Sequence, residues 1–328
     1  MKNPVMRNQI YGALAVALSC FVGAAQAQKQ VLVTNKSSNT MSILDPVSLK
    51  TIATVPTGEA PHELIISQSR QLAIVGNYGH GKPGHTLSII DLKQHREIKR
   101  VNLGPIRRPH RLAIHGDKVY FSAEYSRLVA RYDLAADSLD WINGTGQSGS
   151  HMVVVHPDGK TVYTANRLSN TVSKISVDLP DSAKHISHIT AGPTPEGIDI
   201  SADGRELWVG SNVDGKITIL DAGSMQKLAV LSAGKTSIRV KFSPDGHYVV
   251  VTDPAQHEVY LFDAGKKSLI TKKSISGVPM GVTISGDSQF AFVALSENDE
   301  VVKLRLPDLT IEARGKVGRN PDGIGCVE

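Results

Sequence analysis

The sequence has 328 residues, 36 Lys and Arg against 31 Asp and Glu, a net charge of +5 and only 5% aromatic residues. A basic excess this mild, with the two signs interspersed, demands neither a nucleic acid nor a membrane surface as partner. Two cysteines exclude a disulfide framework.

The chain begins with Lys2 and Arg7, the apolar run IYGALAVALSCFVGAA and a small-residue AQA before Gln28. This is the layout of a secretory signal peptide, and cleavage after Ala27 is expected. A lipoprotein signal using Cys20 is the alternative, although Ala17 stands where a lipobox usually has Leu. Both routes predict a periplasmic or secreted protein. Residues 28–328 contain no stretch apolar enough to span a bilayer. Cys326, in GIGCVE, is then without a partner and is expected to be a small, buried, inert residue.

From Pro61 onward one unit recurs. Its starts fall at Pro61, Pro109, Ser150, Pro195, Ser237, Pro279 and Pro321, at intervals of 48, 41, 45, 42, 42 and 42 residues. The unit beginning at Ser237 reads cleanly: SIRVKFS, the turn PDGHY, VVVTD, a polar loop, EVYLFD, a turn and SLITKKSIS. The Val- and Ile-rich pieces suit packed strands. SPDG, HPDG at His156 and SADG at Ser201 are tight turns in which Gly takes the positive φ. No segment combines a 3.6-residue period with helix caps, so almost no helix is expected. Four antiparallel strands in each of seven units predict an all-β, seven-bladed β-propeller, a single domain over residues 28–328. VLVTNKSSNTMSILD, from Val31, matches strands two and three of a unit, and PDGIGCVE matches strand one. One blade should therefore be shared between the two ends, leaving no free edge there.

VLVTNKSSNTMSILD and VYTANRLSNTVSKIS (from Val162), with PTGEAPHELIIS and FSPDGHYVVVTD, resemble the YVTN repeat family of bacterial and archaeal secreted propellers. The resemblance covers essentially all of residues 28–328. It implies an extracytoplasmic seven-bladed propeller that binds or scaffolds; some relatives are associated with nucleic acid. Fold does not fix function, so the site is read separately.

The residue after each unit start is Asp322, His62, His110, His151, Glu196, Ile238 and Met280, in order round the ring. Five consecutive blades thus present polar groups at one level beside the channel mouth. His62, His110 and His151 are a possible ligand set for zinc or a similar divalent metal. Glu196 or Asp322 would then serve as base in a metal-assisted lyase or lactonase. On the same face, the loop GNYGHGKPGH brings Tyr78, His80 and His85. Arg107, Arg108 and Arg111 beside His110, and Arg239 beside Ile238, would hold an anionic group. The bland alternative is a wet funnel that accepts any polar residue. His115 and His156 align with turn serines and are expected to cap the opposite face. His185, His188, His247 and His257 fall on outer strands or turns, and Trp141 and Trp208 on packing positions.

No C-x-x-C-H, P-loop, G-x-S-x-G or H-E-x-x-H occurs. The leading expectation is therefore a monomeric, non-enzymatic module binding a small molecule or a periplasmic protein. The metal-dependent lyase or lactonase is the alternative. Nucleic acid comes third, because no stripe of stacking aromatics lies on the loops.

Overall fold

The computed structural model describes residue 1, residues 29–179 and residues 186–328. The expected signal segment with Cys20, and His185, lie outside the described residues. The described residues form 28 strands, β1–β28 in chain order, and no helix. They make seven four-stranded antiparallel sheets, the seven blades expected. The innermost strands are β4 (Pro61–Ser67), β8 (Pro109–His115), β12 (Ser150–Val155), β16 (Pro195–Ile200), β20 (Arg239–Phe242), β24 (Pro279–Ile284) and β28 (Pro321–Val327). β28 pairs with β1 (Gln30–Asn35), which continues into β2 (Thr40–Leu44) and β3 (Thr51–Pro56). The ring is thus closed by a blade drawn from both ends.

Burial falls from the axis outward. Inner strands carry apolar residues on both faces because a neighbouring blade covers each face, whereas outer strands such as Thr310–Lys316 alternate half-buried and exposed. The core consequently lies between blades. Val250, Val259 and Leu261 of one blade pack on Val282, Val293 and Val302 of the next. Trp208 meets Phe242 and Phe262 edge-on at 5.6 and 6.2 Å, a packing role as expected.

The tight turns follow their sequences. Ser243 donates its hydroxyl to Asp245 at 2.5 Å, and Gly246 sits at φ 75°. His156 replaces this serine: its Nδ1 accepts from the Asp158 amide at 3.2 Å, and its Nε2 reaches the Gly204 carbonyl of the next blade at 3.1 Å. Burial pushes the Cys326 thiol up to about 12, which keeps it an inert thiol.

One irregularity governs the site. At the start of β4, β8, β12, β16 and β24 the pairing register shifts, and β1 shifts opposite β28. A bulge inserts an extra residue and re-aims the side chains beside it. In β20 the ladder begins only at Arg239, opposite Thr252, and the Ile238 amide donates to the Thr252 carbonyl at 3.1 Å.

Candidate functional site

At the axis the expected arc is continuous. The His62 and His110 rings lie 4.2 Å apart and those of His110 and His151 3.7 Å apart, in tilted stacks. His62 Nδ1 is 3.4 Å from Asp322 at one end, and His151 Nε2 is 3.0 Å from Glu196 at the other. The bulge in β4 lets two consecutive side chains reach this cluster. Glu63, which strict alternation would send to the other face, accepts from Arg239 at 2.6 Å and from Arg111 at 2.7 Å. In the fifth unit Ile238 is buried, and Arg239, two residues after its unit start as Glu63 and Arg111 are after theirs, reaches Glu63 and, at 3.1 Å, Asp322.

Apart from Tyr78, sequence reasoning missed a second arc just outside the first. It consists of the residue that follows the second strand in the same five blades: Lys36, Tyr78, Glu124, Arg167 and Asn212. Lys36 lies 3.2 Å from His62 Nε2 and 3.3 Å from Asp322. Tyr78 sets its ring against His62 and His110 at 5.2 and 5.5 Å and donates its hydroxyl to Glu124. Glu124 approaches His151 Nδ1 at 3.6 Å. Arg167 and Asn212 hold Glu196 at 2.8 and 2.9 Å. The remaining blades have Pro254 and Ser296 at this position. The signal was present in the sequence as a second polar register in phase with the first.

The arrangement separates the three imidazoles electrically. Burial, with Lys36 beside it, holds His62 well below the usual imidazole value. Burial, with His151 and His62 stacked on its faces, does the same to His110. For His151 burial is outweighed by its pairing with Glu124 and Glu196, which raises its pKa. Both carboxylates are held at about 2: burial opposes this, but His151, aided by Tyr78 at Glu124 and by Arg167 at Glu196, prevails. Burial and the neighbouring Glu124 push Tyr78 up to about 12. Five basic side chains (Lys36, Arg108, Arg111, Arg167 and Arg239) and three imidazoles therefore surround four buried carboxylates, Glu63, Glu124, Glu196 and Asp322. His110 is wholly buried, and neither ring nitrogen has a partner.

Above this floor opens a cleft of about 510 Å³, lined by Lys36, Glu59, Tyr78, His80, Arg108 and Asn320 among others. Arg108 stacks over Tyr78 at 4.7 Å and donates to its hydroxyl at 2.9 Å. Arg107 turns away and donates to the carbonyls of Gly104 and Ile106 in its own loop. Arg111 and Arg239 are committed to Glu63 below. His80 is exposed on the cleft wall, whereas His85 is exposed outside the lining. Lys36 and Arg108 are thus the cations that face the opening.

Among the described residues, the side chains whose ligand atoms converge, within 4.8 Å, are His62, Glu63 and Asp322 instead of the three imidazoles. Both carboxylates already contact Arg239, with Arg111 and Lys36 close by. A divalent ion would join three resident cations in a buried space, where like charges repel strongly.

Residues 139–240 match the profile of the YNCE-like β-propeller family. Match and blades together fit a YVTN-type β-propeller family. No curated protein matches the sequence. Among solved structures it is similar to a candidate 6-phosphogluconolactonase of Bacteroides fragilis, at 13% identity and TM-score 0.77, covering 93% of this chain and 100% of that one. It is also similar to a protein of unknown function from Desulfotomaculum acetoxidans, at 14% identity and TM-score 0.75, covering 91% and 99%. Kuenenia stuttgartiensis hydrazine synthase follows at 16% identity and TM-score 0.67, covering 80% and 88%. At these identities the likeness is one of fold.

Proposed function

We propose that this propeller is an exported binding module that captures the anionic group of a ligand at the channel mouth. The observation that carries the reading is the pair of cations, Lys36 and Arg108, that line the cleft. Hydrogen bonds from charged donors to an oxyanion are the strong ones, and a low-dielectric floor strengthens them further. Calorimetric titration with inorganic phosphate tests the proposal. Arg108→Ala should weaken binding about tenfold, the worth of one charged hydrogen bond. Arg205→Ala, on an exposed turn of the opposite face, should leave it unchanged. Equal affinities for the Arg108 variant and the wild type would sink the proposal.

The second reading is a metal-assisted lyase or lactonase with His62, His110 and His151 as ligands and Glu196 or Asp322 as base. It draws support from the converging atoms of His62, Glu63 and Asp322 and from the fold shared with a candidate 6-phosphogluconolactonase. Its weakness is that both bases are already engaged by Arg239 or Arg167. Stoichiometric first-row metal in tag-free protein, lost in His110→Ala, would favour it over the first.

A further inference from the structure

Outside the second arc lies a third level. The residues following Glu124, Arg167 and Asn212 are Tyr125, Leu168 and Val213, which are 67%, 75% and 58% exposed. The same position in the other four blades holds Ser37, Gly79, Ala255 and Glu297. Folding of this loop therefore does not need a large apolar side chain. Single exposed apolar residues call for no explanation, but a contiguous strip bordered by polar groups marks a docking surface.

The arc beneath places the three in order on neighbouring blades. Glu124 bonds Tyr78 on one side and approaches Arg167 at 3.9 Å on the other, while Arg167 and Asn212 share Glu196. The strip begins at the cleft, because the Glu124 amide donates to the Arg108 carbonyl at 3.0 Å. With packed sheets about 10 Å apart, three blades give a curved strip about 20 Å long. A straight helix cannot follow such a curve. An extended chain can, and in a polyproline II conformation every third side chain recurs on one side after about 9 Å.

We infer that this face docks an extended peptide segment of another protein. Its carboxylate enters the cleft at Lys36 and Arg108, and apolar side chains three residues apart lie along Tyr125, Leu168 and Val213. The inference rests on the anion-binding reading and adds the kind of partner: acidic at one end, apolar behind it. Charge complementarity fixes the direction, since Lys36 and Arg108 lie at the cleft end of the strip.

Fluorescence anisotropy with a labelled probe, Leu-Ser-Pro-Leu-Ser-Pro-Leu-Asp with a free C-terminus, tests it beside a companion in which serine replaces every leucine. Wild type should bind the leucine probe at least about tenfold more tightly than the serine probe. The double variant Leu168→Ser, Val213→Ser should lose most of that difference yet keep its affinity for inorganic phosphate and its melting temperature. Arg108→Ala should weaken both probes. Equal binding of the two probes by wild type, or an unchanged leucine-probe affinity in the rim variant, overturns the inference. Should phosphate bind while neither peptide does, the mouth serves a small anion alone; the docking inference then falls and the binding reading stands. Should neither phosphate nor peptide bind, both fall.

Discussion

His110 keeps an imidazole wholly out of water with neither nitrogen paired, an arrangement that costs about 1–3 kcal/mol for a buried polar group. Leucine, of similar volume, has no such group to satisfy. His110→Leu should therefore stabilise the fold by about 1–2 kcal/mol, read as a higher urea midpoint. The pH dependence has two flanks. His62 and His110 have folded values below their ordinary 6.5. The unfolded chain thus takes up protons there that the folded chain refuses, and stability falls as pH drops below about 6.5. His151 acts oppositely: its contribution is complete below about 6.5 and is lost as pH rises through its raised folded value. Glu124 and Glu196 contribute above their ordinary 4.5 and lose that contribution as pH falls toward about 2. Melting temperature should accordingly peak near neutrality. The acid-side decline should be shallower in His110→Leu by about 1.4 kcal/mol per pH unit; an unchanged slope would show that His110 titrates in the folded protein.

The inner strand is the element on which both packing and site depend. Neighbouring inner strands run so close that a Cβ added at Gly281 of β24 would stand 1.9 Å from the Asp322 carbonyl oxygen of β28. Backbone cannot yield as a flexible side chain can. Gly281→Ala should cost about 3 kcal/mol by overpacking and should also displace Asp322 from Arg239. Chemical denaturation would measure the first effect, and phosphate titration the second. The same element explains what could and could not be read from sequence. Pro-His and Ser-His starts were legible because they repeat in register. Glu63 was not, since period-two alternation assigns it to the opposite face and only the bulge in β4 brings it inward. Arg239 was legible as a nearby cation but not as the partner of Glu63, because that contact joins inner strands 176 positions apart in the chain.

At the scale of the whole molecule the fold was legible for a physical reason: a four-stranded blade cannot bury its own faces, so the period of the units had to be the period of a closed ring. Lys36, Glu124 and Arg167 escaped notice because loop residues carry no hydrophobic period to mark their direction. Closure has a mechanical consequence of its own. Gln30 pairs with Val327, so the first residue of β1 and the end of β28 are side by side. Antiparallel hydrogen bonds run perpendicular to the strands. A load applied at residues 29 and 328 would therefore peel these bonds one after another, as a zipper opens, instead of shearing them together. Stretched between those points in an optical trap, the ring should open at a lower force than when handles at positions 37 and 213 pull across its face. A closed ring would thus have a soft direction, set by where its two strand ends meet.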